Sequence, residues 1–288
     1  MSQLELSAGT IEITDVGTGP VVVLLHGLLM DATLWDEVVA ELASDCRCIA
    51  PTLPLGAHRL AVAPGADLSL PGVARLVSEL LERLDLTDVT VVGVDTGGAL
   101  VQLLLADGAT RVSGAVMISC DAFDNFPPGL TGKTLVAAGR LPAALFGIVM
   151  QQMRLRAARR LPIAFGWLTK RGDAATKRWV TQLLEQSTVR KDAVATLRSI
   201  AADKTLLARA AERLPHFEGR ALVVWAKGDR VMPPDHGRRL AELLPDSQFV
   251  EVDDSYTLVP LDQPQALAEL IRAFVHSGRQ RDRGATDA

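Results

Sequence analysis

The sequence predicts an α/β fold in which a mostly parallel central sheet is flanked by helices and carries an inserted helical cap. Two observations predict this architecture. Through the first third of the 288 residues, short apolar runs alternate with segments of helical spacing, which is typical of parallel strands joined by helices. After residue 126 the strand pattern stops, and it resumes only near residue 221, so the cap is predicted as an insertion.

The first strands follow from alternation and from continuous apolar runs. Residues 3–6 and 10–15 alternate apolar and polar side chains, which favours an exposed antiparallel hairpin. Later runs have the composition of strands buried on both faces, at residues 21–25, 47–50, 89–94 and 114–119. Helices are predicted between them, at residues 34–42, from Ser69 as N-cap to about residue 84, and at residues 98–106.

Residues 127–215 differ from the rest of the chain in pattern and in charge. They contain helical segments punctuated by proline and glycine, with sixteen Lys and Arg against five Asp and Glu. Their net charge of +11 leaves −15 for the remainder. We predict a helical cap at 127–215, inserted into a core of residues 1–126 and 216–276. The core resumes with strands at 221–226 and 248–252 and a helix at 264–275, and a disordered polar tail is predicted at 277–288.

Composition and charge exclude several classes of protein. The net charge of −4 argues against a nucleic-acid-binding protein, and three scattered cysteines fit a reducing compartment without a disulfide framework. No secretory signal is visible, and the most apolar stretch, residues 141–150, is far shorter than the roughly 20 residues of a membrane-spanning helix. We therefore predict a cytoplasmic protein with no membrane partner. Nothing in the sequence indicates its oligomeric state.

The strongest motif is the segment Gly93-Val94-Asp95-Thr96-Gly97-Gly98, which joins a buried strand to a helix. Small residues at 93, 97 and 98 allow a sharp turn whose middle residue is held in a strained conformation. The side chain of Asp95 is then pushed out at the carboxyl edge of the sheet, as in a nucleophile elbow. The alternative is a glycine-rich turn in which Asp95 only caps the helix.

A second motif, His26-Gly27-Leu28, follows the first strand that is buried on both faces. Together with the elbow it resembles the α/β-hydrolase superfamily. The resemblance extends to Ala226-Lys227-Gly228-Asp229 and to Asp262-Gln263-Pro264, so it covers most of the predicted core. It implies an α/β-hydrolase fold in which the backbone N–H groups of Leu28 and Thr96 form an oxyanion site, while His26 orients its loop.

The aspartate at the elbow resembles the haloalkane dehalogenase and epoxide hydrolase branch. The resemblance implies that Asp95 attacks carbon to give an alkyl-enzyme ester, which a histidine-activated water then hydrolyses. The chain departs from both subfamilies. It has Thr96 where dehalogenases of this branch place Trp or Arg, and it lacks the two cap tyrosines of epoxide hydrolases. Trp167 and Trp179 of the cap are candidates to supply N–H groups to the substrate, with core packing as the alternative role.

The histidine that the resemblance implies is also missing. After the last strand, the alignment places Tyr256 at the histidine position, and a phenol with a pKa of about 10 is a poor base at neutral pH. His58, in a loop expected at the same sheet edge, is a candidate substitute or an exposed loop histidine. The supporting acid is either Asp229 or Asp121, since each follows a strand of the core.

The functional prediction depends on Asp95. We predict a hydrolase-fold enzyme that acts on a small, mostly hydrophobic organic substrate, with no cofactor and with Asp95 as nucleophile or acid–base group. One alternative is a cofactor-independent isomerase, lyase or cyclase in which Asp95 is the base and Tyr256 the proton donor. Another is a non-catalytic protein that binds small molecules. The basic cap either steers anionic substrates toward the cleft or carries solvated charges.

Overall fold

An eight-stranded sheet forms the centre of the computed structural model, which describes residues 2–286 and the side chains of residues 2–278. The strands are β1 (Ser2–Leu6), β2 (Gly9–Val16), β3 (Val21–Leu25), β4 (Arg47–Pro51), β5 (Val89–Asp95), β6 (Val112–Cys120), β7 (Arg220–Ala226) and β8 (Asp246–Val252). Their order across the sheet is β1-β2-β4-β3-β5-β6-β7-β8. The pairs β1–β2 and β2–β4 are antiparallel, and all pairs from β4 to β8 are parallel. The predicted α/β class is confirmed.

Helices connect the strands on both faces of the sheet. The α-helices are α1 (Asp36–Leu42), α2 (Leu70–Arg83), α3 (Thr96–Ala106), α4 (Gly129–Ala138), α5 (Ala143–Met150), α6 (Arg156–Arg159), α7 (Asp173–Glu185), α8 (Ser187–Ala202), α9 (Leu206–Ala211), α10 (Pro234–Leu243), α11 (Val259–Asp262) and α12 (Pro264–Thr286). Short 3₁₀ helices lie at Ala32–Trp35, Gln151–Arg154 and Leu214–His216. Within residues 2–286, none of these helices combines the length and the apolar character needed to cross a bilayer.

The strand and helix on either side of Asp95 are buried throughout. Every residue of β5 is buried, which explains its uninterrupted apolar sequence. Every residue of α3 is buried as well, because this helix packs against β5, β6, α2 and α9. A helix with apolar contacts on all sides needs no polar face, which is why α3 carries almost none. The turn between β5 and α3 is therefore fixed at both ends.

We call residues 127–215 the cap segment. All of these residues are described, and they contain helices α4 to α9 and no strand. Polar contacts shielded from water attach the cap segment to the rest of the chain. The Trp179 indole N–H donates to Asp31 Oδ1 at 2.9 Å. Nε2 of His58 lies 3.1 Å from Asp192 Oδ2. Because loss of either partner would leave a largely buried polar group without a hydrogen bond, these contacts hold the cap segment in one position.

The C-terminal helix is longer than the sequence pattern indicates. α12 continues to Thr286, so the backbone of residues 277–286 is helical where a disordered tail is predicted. The apolar spacing ends at Val275, but Arg, Gln and Ala favour a helix even without an apolar stripe. Residues 287–288 of the predicted tail lie outside the described residues.

Candidate active site

Asp95 stands at the tip of a strained turn between β5 and α3. Its backbone has φ 55° and ψ −128°, and a positive φ is uncommon for a residue with a side chain. The turn also requires Gly97, where an added Cβ would lie 2.2 Å from the carbonyl oxygen of Leu25. The backbone thus has the geometry that the motif predicts, and Asp95 projects at the carboxyl end of β5.

One oxygen of the Asp95 carboxylate is held, and the other is open. Oδ1 of Asp95 accepts hydrogen bonds from the Thr96 backbone N–H at 2.5 Å and from the Thr96 hydroxyl at 3.0 Å. Oδ2 accepts no hydrogen bond from any residue that the structure describes, and Asp95 lines a cavity. A Cβ on Gly27 would lie 2.9 Å from Asp95 Cβ, so the loop that carries Leu28 passes beside the carboxyl group. Leu28 and Thr96, the predicted oxyanion donors, line the same cavity.

The Thr96 hydroxyl joins Asp95 to a second buried carboxyl. Thr96 Oγ1 lies 3.0 Å from Asp95 Oδ1 and 3.1 Å from Asp121 Oδ2. A hydroxyl carries one hydrogen, so Thr96 can donate to only one of these two oxygens. The other contact is a hydrogen bond only when that carboxyl is protonated and donates to Thr96. The arrangement therefore favours one proton held by the pair.

Burial raises the pKa of both carboxyls. Asp95 is 7% exposed, and burial raises its pKa to about 6, opposed by the hydrogen bonds from Thr96 and reinforced by the charge of Asp229. Asp121 is fully buried, and burial together with the nearby Asp95 charge raises its pKa well above the usual range. Its Oδ1 has no hydrogen-bond partner among the described residues. The larger rise favours Asp121 as the protonated member of the pair and Asp95 as the ionised one.

Asp229, in the loop after β7, is a third carboxyl of this cluster. Its Oδ1 accepts hydrogen bonds from the Val231 and Met232 N–H groups, each at 2.8 Å, and from the Thr257 hydroxyl at 3.0 Å. Burial raises the pKa of Asp229 to about 6, and its charge raises the pKa of Asp95 in turn, so the two carboxyls interact.

Within residues 2–278, no three His, Cys, Asp or Glu side chains are placed to bind a metal ion.

The loop after β8 brings Thr257, rather than Tyr256, to the supporting acid. Thr257 is fully buried and donates to Asp229 Oδ1. The Tyr256 ring lies instead between two cations, 5.0 Å from Lys170 Nζ and 4.9 Å from Arg230 Cζ. It does not line the cavity around Asp95. The prediction that places Tyr256 at the histidine position, as proton donor beside Asp95, is therefore corrected, because the contacts of this loop bring the neighbouring Thr257 to Asp229 and leave Tyr256 between the two cations.

Neither candidate histidine lines the cavity. His26 is fully buried, and its Nε2 accepts a hydrogen bond from the Leu53 N–H at 2.9 Å, so Nδ1 donates to Gly27 O at 2.8 Å. Burial lowers the pKa of His26 to about 4, and the neutral ring supports the loop as the sequence predicts. His58 is also buried, and it contacts Asp192 of the cap segment. It therefore neither reaches the cavity nor lies exposed in its loop, and both alternatives from the sequence are corrected.

The two tryptophans of the cap segment also lie outside the cavity. Trp179 is fully buried and its indole N–H is taken by Asp31. Trp167 is half-buried and packs against the hydrophobic core. Core packing, the alternative role, therefore describes both side chains.

A cavity of about 160 Å³ lies over Asp95, between the core and the cap segment. Apolar residues such as Leu135, Met150 and Phe165 form most of its wall, and sequence motifs gave no signal for them. Its polar side chains are Asp95, Thr96, Asp121, Thr131, Thr134 and Gln152. Among these fully described lining residues there is no Lys, Arg, His, Trp or Tyr. The cavity is therefore built for an apolar ligand, and its carboxylate disfavours an anionic one.

Comparison with known proteins places this geometry in a family. The model of the alpha/beta hydrolase family matches residues 22–270. Haloalkane dehalogenase 2 of Mycobacterium tuberculosis is 25% identical over 270 residues, which cover 92% of this chain and 91% of that protein. A thermophilic esterase from Thermogutta terrifontis superposes with a TM-score of 0.72 at 21% identity, over 96% of this chain and 99% of the esterase. An enol-lactonase from Burkholderia xenovorans LB400 gives 0.75 at 16% identity, over 96% and 100%. At these identities the structural likeness shows the fold.

Replacing Asp95 by Asn is expected to stabilise the protein above the pKa of the carboxyl. The ordinary pKa is 3.8 and the folded pKa about 6, so the native state binds the proton more tightly and loses stability as the pH rises through this window. The neutral amide removes that loss. Urea unfolding of Asp95→Asn should give a free energy of unfolding higher than wild type by up to about 3 kcal/mol above pH 6, with less change between pH 4 and 6.

The matched control for this stability measurement is Asp124→Asn, because Asp124 is an exposed carboxyl in the loop after β6. Its effect should stay within about 0.5 kcal/mol. If Asp95→Asn were no more stable than wild type above pH 6, the carboxylate would not be under the burial penalty that the structure indicates.

Thr257→Val and Tyr256→Phe test which residue supports Asp229. Thr257→Val removes a buried donor to Asp229 Oδ1 and should lower the free energy of unfolding at pH 8 by about 1–3 kcal/mol. Tyr256→Phe removes a hydroxyl that has no hydrogen bond to a described residue, and the change should stay below about 0.5 kcal/mol. The reverse order of effects in urea unfolding would show that Tyr256, and not Thr257, is the partner of Asp229.

Proposed function

Because the chain belongs to the alpha/beta hydrolase family, we propose that it is a hydrolase in which the Asp95 carboxylate attacks carbon in a small apolar substrate. One observation carries the proposal. Asp95 Oδ1 is held by Thr96, whereas Oδ2 has no hydrogen-bond partner among the described residues and Asp95 lines the apolar cavity. An anionic oxygen that is positioned but unbound in a desolvated site is a strong nucleophile.

The first step forms an ester on Asp95. Oδ2 donates an electron pair to the substrate carbon, and the bond from that carbon to the leaving group breaks with its electron pair on the leaving atom. In the second step, water loses a proton to a base and attacks Cγ of Asp95, and the negative charge develops on Oδ1. Collapse of this adduct breaks the bond from Cγ to Oδ2, so Oδ2 leaves on the substrate fragment, which takes up a proton and departs as an alcohol. The oxygen of the water takes the place of Oδ2 in the carboxyl group. The Thr96 N–H already donates to Oδ1 at 2.5 Å, so the oxyanion forms where a donor is in place. The Leu28 N–H, in the adjacent loop, is the second donor that the fold supplies.

Asp229 is the group we assign as base for the attacking water. It interacts electrostatically with Asp95, and a pKa of about 6 suits proton abstraction near neutral pH. Besides this electrostatic interaction with Asp95, Asp229 takes the proton of the water, as a histidine does in the resembling branch of the fold. The Thr257 hydroxyl and the Val231 and Met232 N–H groups fix Oδ1, which leaves Oδ2 buried and without a hydrogen-bond partner among the described residues. Because Asp229 does not line the cavity, this proposal requires the attacking water to bind behind the cavity wall, between Asp229 Oδ2 and Cγ of Asp95.

The cavity favours an oxygen leaving group over a halide. A departing halide needs N–H donors, and in the fully described wall the only side chain with an N–H group is that of Gln152, an exposed residue. A departing alkoxide needs a proton instead, and the neutral Asp121 carboxyl holds one beside Asp95. We therefore propose apolar epoxides as the substrate class, because ring opening by Asp95 gives an alkyl ester and leaves an alkoxide on the same fragment. Esters serve as comparison substrates, since attack at their acyl carbon would give an anhydride on Asp95 instead. The cap segment, which supplies most of the cavity wall, acts as the lid that keeps water out.

A second candidate is acid–base chemistry without a covalent intermediate, as in a cofactor-independent isomerase or lyase. The Thr96 hydroxyl between Asp95 and Asp121 favours it, because the pair offers a base and an acid side by side. In this version Asp95 removes a proton from the substrate and Asp121, in the place first assigned to Tyr256, returns one.

Substitution of Asp95 tests the proposal on a panel of small apolar epoxides and esters. Asp95→Asn should lower kcat/KM by about 10⁴-fold or more, because the amide cannot attack carbon. In Asp229→Asn, where the water lacks its base, the intact protein should gain the mass of the bound substrate fragment, located on the peptide with Asp95. The exposed Asp124→Asn is the control and should keep wild-type turnover.

The outcomes separate the candidate functions. Wild-type turnover by Asp95→Asn would contradict both chemical assignments. Turnover that depends on Asp95 and on Asp121, with no adduct in any variant, would favour the acid–base candidate. Tight binding without turnover of any panel member would favour a non-catalytic protein that binds small molecules.

A further inference from the structure

Exposed apolar side chains are concentrated in one part of the cap segment. Of the eight large hydrophobic residues that are exposed in the described part of the chain, seven lie between residues 130 and 163. We call these seven the apolar rim: Leu130, Leu145, Ile148, Val149, Leu155, Leu161 and Ile163. Ile148 and Leu155 are each 66% exposed. Single exposed apolar residues need no explanation, but a cluster of this kind marks an interaction surface.

The apolar rim belongs to one surface. Thr131 Oγ1 donates to the carbonyl oxygen of Pro162 at 2.7 Å, so α4 lies beside residues 161–163. α5 runs directly into the 3₁₀ helix Gln151–Arg154, and the Arg159 guanidinium holds the carbonyl groups of Met153 and Arg154 against α6. Val149 lies in α5, and Ile163 follows α6. Both residues are exposed, and both also line the Asp95 cavity. The cavity therefore reaches the surface within the apolar rim.

Positive charge surrounds the apolar rim. Residues 127–172 contain eight Lys and Arg and no Asp or Glu. Six of these cations are exposed: Lys133, Arg140, Arg154, Arg156, Arg160 and Arg171. Among the described residues, two of the six have acidic partners: Arg156 lies 3.5 Å from Asp173, and Arg171 pairs with Asp254. The side chain of Arg154 donates to Gln151 and that of Arg160 to a carbonyl group, so their charges stay uncompensated.

We propose that the apolar rim docks on the surface of an anionic phospholipid membrane. Such a surface has an apolar layer beneath a negatively charged one, and the rim presents apolar side chains flanked by cations. Each cation near an anionic bilayer strengthens binding by about fivefold. A second copy of this chain is a poorer occupant, because a symmetric contact would bring the same uncompensated cations together. This proposal departs from the sequence-based expectation of no membrane partner.

Docking would place the opening of the cavity at the lipid. If the proposed function holds, apolar substrates dissolved in the membrane then reach Asp95 without crossing water. The docking itself stands on the exposed side chains and the charge, so a vesicle-binding measurement tests it independently of catalysis.

The experiment is co-sedimentation of the full chain with lipid vesicles. The vesicles are made of phosphatidylcholine alone or with about one-third phosphatidylglycerol. We expect binding to the anionic vesicles, weak binding to the neutral ones, and loss of binding at high salt. The double variants Ile148→Asp/Leu155→Asp and Lys133→Glu/Arg154→Glu should each lower the partition coefficient by about tenfold or more. None of these four side chains lines the cavity.

The controls are Val16→Asp, an exposed apolar residue outside the cap segment, and Arg83→Glu, an exposed cation at the end of α2. Both should bind vesicles as the wild type does, and circular dichroism should show every variant folded. Absence of vesicle binding, or equal binding by the rim variants and the controls, would overturn the proposal. So would a wild-type dimer that Ile148→Asp/Leu155→Asp converts to a monomer without vesicle binding, since the occupant would then be a second copy.

Discussion

The single hydrogen of the Thr96 hydroxyl, placed between two buried carboxyls, governs the chemistry of this site. Asp95 and Asp121 both contact Thr96 Oγ1, and only one of them can accept the hydrogen. The pair therefore favours one shared proton, and the greater rise in the pKa of Asp121 favours its retention there. The charge of Asp95 is costly in an apolar environment. The Thr96 backbone N–H stabilises this charge by donating to Asp95 Oδ1. The strained turn is held in place by β5 and α3, which are buried throughout.

The cavity explains why this carboxylate differs from a surface aspartate. The cavity walls are mostly apolar, and the lining residues, all of which are described, include no cation. Asp95 Oδ2 is therefore unpaired and weakly solvated. The same walls and the Asp95 carboxyl disfavour an anionic ligand in the cavity, which argues against the interpretation that the basic cap segment steers anionic substrates to it. The charge of the cap segment is better explained by what lies outside the cavity, where cations flank exposed apolar side chains. The two features of the cap segment, an apolar inner wall and a basic outer face, thus have separate physical causes.

Local signals in the sequence predicted the backbone well, and they predicted side-chain contacts poorly. The strand, the small residues and the helix around Asp95 determine the elbow by themselves, so motif and structure agree there. Thr257 and Tyr256 are neighbours in a loop, and which of them faces Asp229 depends on the register of that loop, which no local pattern reports. The contacts of His58 and Trp179 escaped prediction for a related reason: their partners, Asp192 and Asp31, lie more than a hundred residues away in the chain.

The most direct test of the account is a ¹³C NMR titration of the aspartate carboxyl carbons, assigned with Asp95→Asn and Asp121→Asn. The account predicts that Asp121 stays protonated through neutral pH while Asp95 titrates with a pKa of about 6. It also predicts that the Asp121 pKa falls in Asp95→Asn, because the neighbouring charge is gone. Two carboxyls that both ionise near their ordinary pKa of 3.8 would contradict the shared proton, and with it the assignment of Asp95 and Asp121 to their roles.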